Sequence, residues 1–265
     1  MKKWLTIIGV IVIVGVYAWE YYLNLDEAPA VTTVPSDIDL EDVLPTSTTH
    51  QVYRHTYYTL SYNENHEQAE WVAYQLKASD VVSTQLKRPF FEQDPKVKTR
   101  SADWRNYKNS GYDKGHLCPA GDRKFSKKAY FETFLTSNIS PQNHNFNAGV
   151  WNDLEQLVRQ WALQNGAVWV FTGGVLEPGL KTIGKERVSV PKTFYKIVGK
   201  GSADRIKMIG FLMLNAPVSH YSLEDFTVPI DSIETLTHID FFPKMSDSLE
   251  LLLESEVNLK DWQFR

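Results

Sequence analysis

The chain has 265 residues, 43% hydrophobic and 23% charged, enough for one domain with a full core or at most two small ones. A net charge of -4 excludes a protein that is basic throughout. The single cysteine, Cys118, excludes an intrachain disulfide and any zinc site built on two or more cysteines. The charge is uneven: residues 77–128 carry thirteen Lys/Arg against six Asp/Glu, and the remainder is net acidic by eleven. Such a stretch can draw in a polyanion locally, or it can be a plain solvated surface.

Lys2-Lys3 precedes sixteen uncharged residues, Trp4 to Trp19. As a helix these reach about 24 Å, short of the ~30 Å hydrocarbon core, and Tyr21, Tyr22 and Leu23 extend them to roughly a full span. Aromatic residues at both ends resemble interfacial belts. Residues 1–25 therefore read as a transmembrane anchor, with a cleaved signal peptide as the competing reading. Lysines before the span and none just after it place the N-terminus in the cytoplasm and the rest outside. Residues 26–50 hold Thr, Ser, Pro and acids but no Lys or Arg, which predicts a flexible linker and leaves 51–265 as the working domain.

Val52 to Tyr62 alternates as a strand does, and Glu67 to Leu76 carries apolar residues at helical spacing. Phe90 to Tyr112 reads as a basic loop, and Lys127 to Phe134 as a short helix. Asn147 to Gln164 is the strongest helix: Val150, Leu154, Leu157 and Trp161 share one face, and Asn165-Gly166 supplies the stop. Strand-like runs follow at Ala167–Thr172, Val188–Val198 and Ile206–Leu214, and Phe226–Glu234 leads into a short terminal helical region. The expected class is α+β, a mostly antiparallel sheet flanked by helices.

The motif Gly111-Tyr112-Asp113-Lys114-Gly115-His116-Leu117, followed by Asn147 and Glu155, suits metal-assisted phosphodiester hydrolysis. Such hydrolysis needs a base near neutrality, and His116 is the candidate, with His144 as its rival. It also needs charge around the phosphate. Asn147 offers a carbonyl oxygen to a hard cation such as Mg2+, although an N-cap role would be its ordinary use. Glu155 lies about 12 Å further along a helix, too far to share one ion directly, so it would act through water or simply face solvent. Arg88 and Lys114 are the candidate cationic clamps. Asn138 could orient water or phosphate, or serve the turn in which it sits. Asn138-Ile139-Ser140 also matches the N-glycosylation pattern, and a glycan there would block the site. Cys118 reads as a small core residue rather than a nucleophile.

Ser110 to Leu117 with Pro119-Ala120-Gly121-Asp122, and Ser137 to Gln142 through Asn147, Trp151 and Glu155, resemble the signature of the DNA/RNA non-specific endonuclease family. Arg88 with Phe91 and Asp94, Val168–Gly174, Val190–Lys196 and Glu234–Phe242 resemble further blocks in the family's order. In the last block His238 stands where a glycine is common. The resemblance covers about residues 52–245. It implies a ββα-metal fold, with His116 as general base and Asn147 as the sole direct Mg2+ ligand (Mn2+ a possible substitute). Glu155 would hold the metal's waters, Asn138 would position the site, and Arg88 and residue 114 would contact phosphate. The implied activity is endonucleolytic hydrolysis of DNA and/or RNA with little sequence specificity, leaving 5'-phosphates and 3'-hydroxyls. Lysine at 114 departs from the family's usual arginine; it keeps the charge but loses the two-pronged grip. The alternatives are a phosphodiesterase with a narrower substrate, or an inactive membrane-anchored nucleic-acid-binding protein.

Overall fold

The computed structural model describes residues 39–201 and 205–264. The anchor expected over residues 1–25, and the linker up to residue 38, lie outside the described residues. The rest of the expected linker is part of the fold. Val43 is buried, the Trp71 indole donates to the Thr46 carbonyl at 2.8 Å, and Thr48 N–H donates to Glu70 at 3.0 Å. The folded unit thus begins before residue 51.

A seven-stranded sheet carries the fold, in the order β1-β2-β3-β6-β9-β10-β11 and antiparallel throughout. Its strands are β1 (Val52–Arg54), β2 (Thr59–Asn63), β3 (Gln68–Lys77), β6 (Ala167–Gly174), β9 (Thr193–Lys200), β10 (Lys207–Leu214) and β11 (Thr227–Val228). Two smaller hairpins stand apart: β4 (Asp113–His116) with β5 (Ile139–Gln142), and β7 (Thr182–Ile183) with β8 (Val188–Ser189). The helices are α1 (Lys127–Glu132), α2 (Asn152–Asn165), α3 (Ile230–Thr237) and α4 (Asp247–Glu254).

Two core clusters divide along the strands by the two-residue period of a sheet. Phe194 and Val198 of β9 join Trp151, Leu154, Leu157 and Trp161 on the α2 side. Tyr195 and Ile197 join Ile230, Ile233, Phe241 and Phe242 on the α3 side.

Three expectations need correction. Glu67 to Leu76 is not a helix: β3 occupies it, paired on both sides and buried on both faces over most of its length. A strand covered on both faces loses apolar alternation, and that is what made its pattern look helical. The single strand expected over Val52–Tyr62 is the hairpin of β1 and β2, turning through His55 to Tyr58. The run Val188–Val198 is split into β8 and β9 around Pro191, which has no N–H for a ladder.

His238 closes α3 in the left-handed region, φ 58° and ψ 28°, with its N–H donating to the Glu234 carbonyl at 2.7 Å. Glycine adopts that conformation without the Cβ penalty. His238→Gly is therefore expected to raise stability by about 0.5–1 kcal/mol, read as a higher urea midpoint with an unchanged slope.

Candidate active site

The site is built on β4, β5 and the helix that follows. In the β4–β5 register Gly115 faces Ser140 and His116 faces Ile139. A Cβ on Gly115 would collide with the buried Gln142 side chain, which packs over this glycine. Strand alternation turns Lys114 and His116 to one face, where both meet Phe91. Lys114 Nζ lies 5.4 Å from that ring's centroid and the imidazole 5.5 Å. Phe134 meets the imidazole edge-on at 5.0 Å.

Asn138 is wholly buried and fully bonded. Its Oδ1 accepts from Cys118 N–H at 2.8 Å, and its Nδ2 donates to the Cys118 and Thr133 carbonyls, each at 3.0 Å. It thus positions the chain just past His116 rather than touching a substrate. Burial of Asn138 also keeps the sequon from carrying a glycan in the folded protein. Cys118 is buried and its thiol is pushed up to about 12 by burial, which leaves it inert at neutral pH.

Arg88 approaches from the loop between β3 and β4, its guanidinium 5.7 Å from the Phe91 centroid and 5.6 Å from that of Phe134. The loop is held at Glu92, which exchanges backbone bonds with Phe134 and Thr136, and at buried Asp94. Asp94 accepts from the Ser137 hydroxyl at 2.6 Å and bonds the His55 ring at 2.8 Å. Burial works against its charge, but His55 and Ser137 overcome this and hold the carboxyl below its ordinary range.

The helix after β5 is not regular. Asn143 caps a single helical turn, His144–Phe146, by accepting from the N–H groups of Asn145 and Phe146. A widened, kinked turn, Asn147–Trp151, follows, broken by Gly149 at the non-helical φ -104° and ψ -115°, and α2 proper begins at Asn152. Asn143, not Asn147, is therefore the N-cap. Asn147 stands at the wide turn, and such turns recur where helices carry function. Its Nδ2 donates to Asp113 Oδ2 at 3.0 Å. That bond fixes the amide through its nitrogen and leaves Oδ1 without a partner among the described residues. His144, the rival base, is exposed and bonds the same Asp113 oxygen at 2.9 Å.

Arg88, His116, Asn147 and Glu155 line one cleft of about 700 Å³, together with Lys124 and Arg159. Lys114 stands beside it at Phe91, and Asn138 lies behind it. Glu155 is not a solvated helix residue: its side chain is 13% exposed. Arg159 bridges Glu155 at 3.4 Å and Asp122 at 2.6 Å, and the Tyr74 hydroxyl donates to the other Asp122 oxygen. Lys196 is buried below, 4.5 Å from the Trp151 centroid and bonded to Thr172. Burial raises the Glu155 pKa while Lys196 and Arg159 oppose the rise. Of the basic stretch, Arg123 cannot meet a ligand, since it is buried against the carbonyls of Tyr57 and Gln75.

His116 is held in its neutral form. Its pKa is pushed down to about 3 by burial and then by Arg88, so the ring is neutral at physiological pH. Its Nε2 is buried without a hydrogen-bond partner. Asn147 and Glu155, which line the same cleft, carry oxygen donors of the kind a hard cation takes. Asp113, Asp122, Arg159 and Lys196 had no assigned role from sequence. Arg159 had a readable signal, its i+4 spacing from Glu155.

A ββα unit thus brings a neutral histidine, an amide side chain and a largely buried carboxylate to one cleft. Residues 40–248 match the DNA/RNA non-specific endonuclease family, and the chain belongs to it. It is 35% identical over 207 residues to the mitochondrial nuclease EXOG of Danio rerio, a match covering 72% of this chain and 60% of that protein. It is 33% identical over 202 residues to mitochondrial endonuclease G of Homo sapiens, covering 71% and 68%. A nuclease of Nostoc sp. is 31% identical over 215 residues, covering 76% of each. The chain thus spans about three fifths of the length of the EXOG relatives. Among solved structures, the endonuclease G complex with its inhibitor EndoGI superposes with a TM-score of 0.69 at 31% identity, covering 74% of this chain and 87% of that one.

Proposed function

We propose that the protein is a divalent-metal-dependent endonuclease that hydrolyses DNA and/or RNA with little sequence specificity. The observation that carries this reading is the shared cleft, which neutral His116 lines together with Arg88, Asn147 and Glu155. Asn147 would hold the cation directly and Glu155 through water. When bound, Mg2+ (or Mn2+ in its place) supplies positive charge at the phosphate and the departing oxygen.

The side chains do the rest. His116 Nε2 takes a proton from the attacking water. Arg88 and Lys114, both set on the Phe91 ring, hold the phosphate and offset its growing charge. The phenyl rings of Phe91 and Phe134 limit solvent around the imidazole, and Asn138 fixes the backbone behind it. Contacts of this kind are made to backbone phosphate, which accords with weak sequence preference. The expected products carry 5'-phosphates and 3'-hydroxyls.

The decisive experiment incubates the full-length chain with circular single-stranded DNA and with RNA, in Mg2+ or EDTA, beside His116→Ala. Circles have no ends, so linearisation that needs both metal and His116 establishes an endonuclease and its base. Tight salt-sensitive binding without cleavage would instead favour a nucleic-acid-binding protein. Cleavage of small diesters but not of circles would favour a narrower phosphodiesterase. Lys114→Arg is expected to preserve or raise kcat/KM, since the cation stays and the fork is gained. A fall of more than about tenfold, some 1.4 kcal/mol of transition-state stabilisation, would show a site shaped around lysine.

From Lys2-Lys3 and the uncharged run behind it we also infer a membrane tether with the nuclease on the extracytoplasmic side. Release of the protein by alkaline carbonate would contradict the tether.

A further inference from the structure

A second group of acids lies on the sheet face opposite α2. Asp231 and Glu234 are neighbours one turn apart on α3, and Glu254 is the last residue of α4. One oxygen from each of the three lies within 4.8 Å of the others. Two oxygens bound to one Ca2+-sized ion at about 2.4 Å stand at most about 4.8 Å apart, so the spacing is that of a shared ion.

Proximity of carboxylates is common on acidic surfaces, but Glu254 is not on the surface. It is 2% exposed, and its Oε1 is buried with no hydrogen-bond partner. An unpartnered buried carboxylate oxygen is costly unless a charge meets it. Its place at the C-terminus of α4 adds the helix's own partial negative charge. Asp240 and Glu250 add to the field of Asp231 and Glu234, and burial works in the same direction against an ionised Glu254. Glu234 Oε1 already accepts from Phe241 N–H, which leaves Oε2 for a further partner. Asp231 is exposed, so water can complete the shell from that side and an ion has a way in.

We propose that Asp231, Glu234 and Glu254 form a structural site for a hard divalent cation that clamps α4 onto α3. Neither the cleft nor the nuclease reading enters this inference. A bound ion would turn mutual repulsion at the α3–α4 junction into attraction. The C-terminal part of the chain would then be firm in the presence of the ion and loose in its absence.

The test uses the full-length chain carrying Asn147→Ala, so that metal at the cleft contributes least. Thermal unfolding is followed at neutral pH in EDTA, in millimolar CaCl2 and in millimolar MgCl2. One or both cations should raise Tm by about 5 °C or more, and the arm with the larger shift identifies the preferred ion. Glu254→Gln should abolish that shift while leaving Tm in EDTA close to the parent's, because burial and the neighbouring acids already keep the Glu254 carboxyl protonated at neutral pH when no ion is bound. Asp231→Asn, at an exposed position that tolerates change, should weaken the apparent cation affinity at least about tenfold. Tm unmoved by either cation, or a shift that survives both substitutions, would overturn the proposal.

Discussion

His116→Ala is expected to lower kcat by about 10²–10⁴-fold, the span usual for loss of a positioned general base. Folding should survive, because the ring makes aromatic contacts to Phe91 and Phe134 but no hydrogen bond at Nε2. Single-turnover cleavage in saturating metal, beside circular dichroism, separates the two effects. If the rate stays within tenfold of the parent, His144 becomes the base to test, since it already bonds Asp113 at 2.9 Å.

The same residue shapes the pH response. In the folded protein its pKa is depressed to about 3, below the unfolded value of 6.5. The folded state thus prefers the neutral ring. The stability linked to it is complete above about pH 6.5 and is lost progressively as pH falls toward 3. His116→Ala should therefore flatten the acid side of the stability profile as well as slow turnover. A phosphate docked on Arg88 would offset that guanidinium and lift the ring's basicity as the substrate binds.

Asn147→Ala should cost about a hundredfold or more in rate at fixed Mg2+, with most of the loss recovered, if at all, only at much higher metal concentration. Asp113→Ala should reproduce part of this, about 10–100-fold in apparent metal affinity, because Asp113 orients the Asn147 amide without facing the cleft itself. A metal titration of cleavage distinguishes these two from His116→Ala, whose defect no metal concentration should repair. Equal metal dependence in all three variants would place the cation elsewhere.

The site was more legible than the sheet. Gly115, His116, Asn147 and Glu155 sit in short blocks whose residue types state their chemistry, and the structure brings His116, Asn147 and Glu155 to one cleft. β3 was misread because its sequence answers to burial on two faces, so its apolar residues carry no clear period. The solvated reading of Glu155 failed for a related reason. Lys196 and Asp122, which surround it, come from distant segments, and pairing of that kind leaves no trace in local spacing. Asn138 invited a chemical role by its type, yet its three bonds are to backbone, which only the folded register of β4 and β5 could reveal.

The wide turn at Asn147–Trp151 makes the distance along the chain, and not only the residues, a determinant of the site. An ordinary helix advances about 100° per residue around its axis. Deleting one residue from Ala148-Gly149 would relax the turn to regular helix while α2 stays locked by Leu154, Leu157 and Trp161 in the core. Asn147 would then swing by about that angle, carrying its amide away from Asp113 and out of the cleft. Every functional side chain would still be present, yet the protein would be silent. A substitution at Ala148 should prove far more forgiving than a change in the number of residues in this turn.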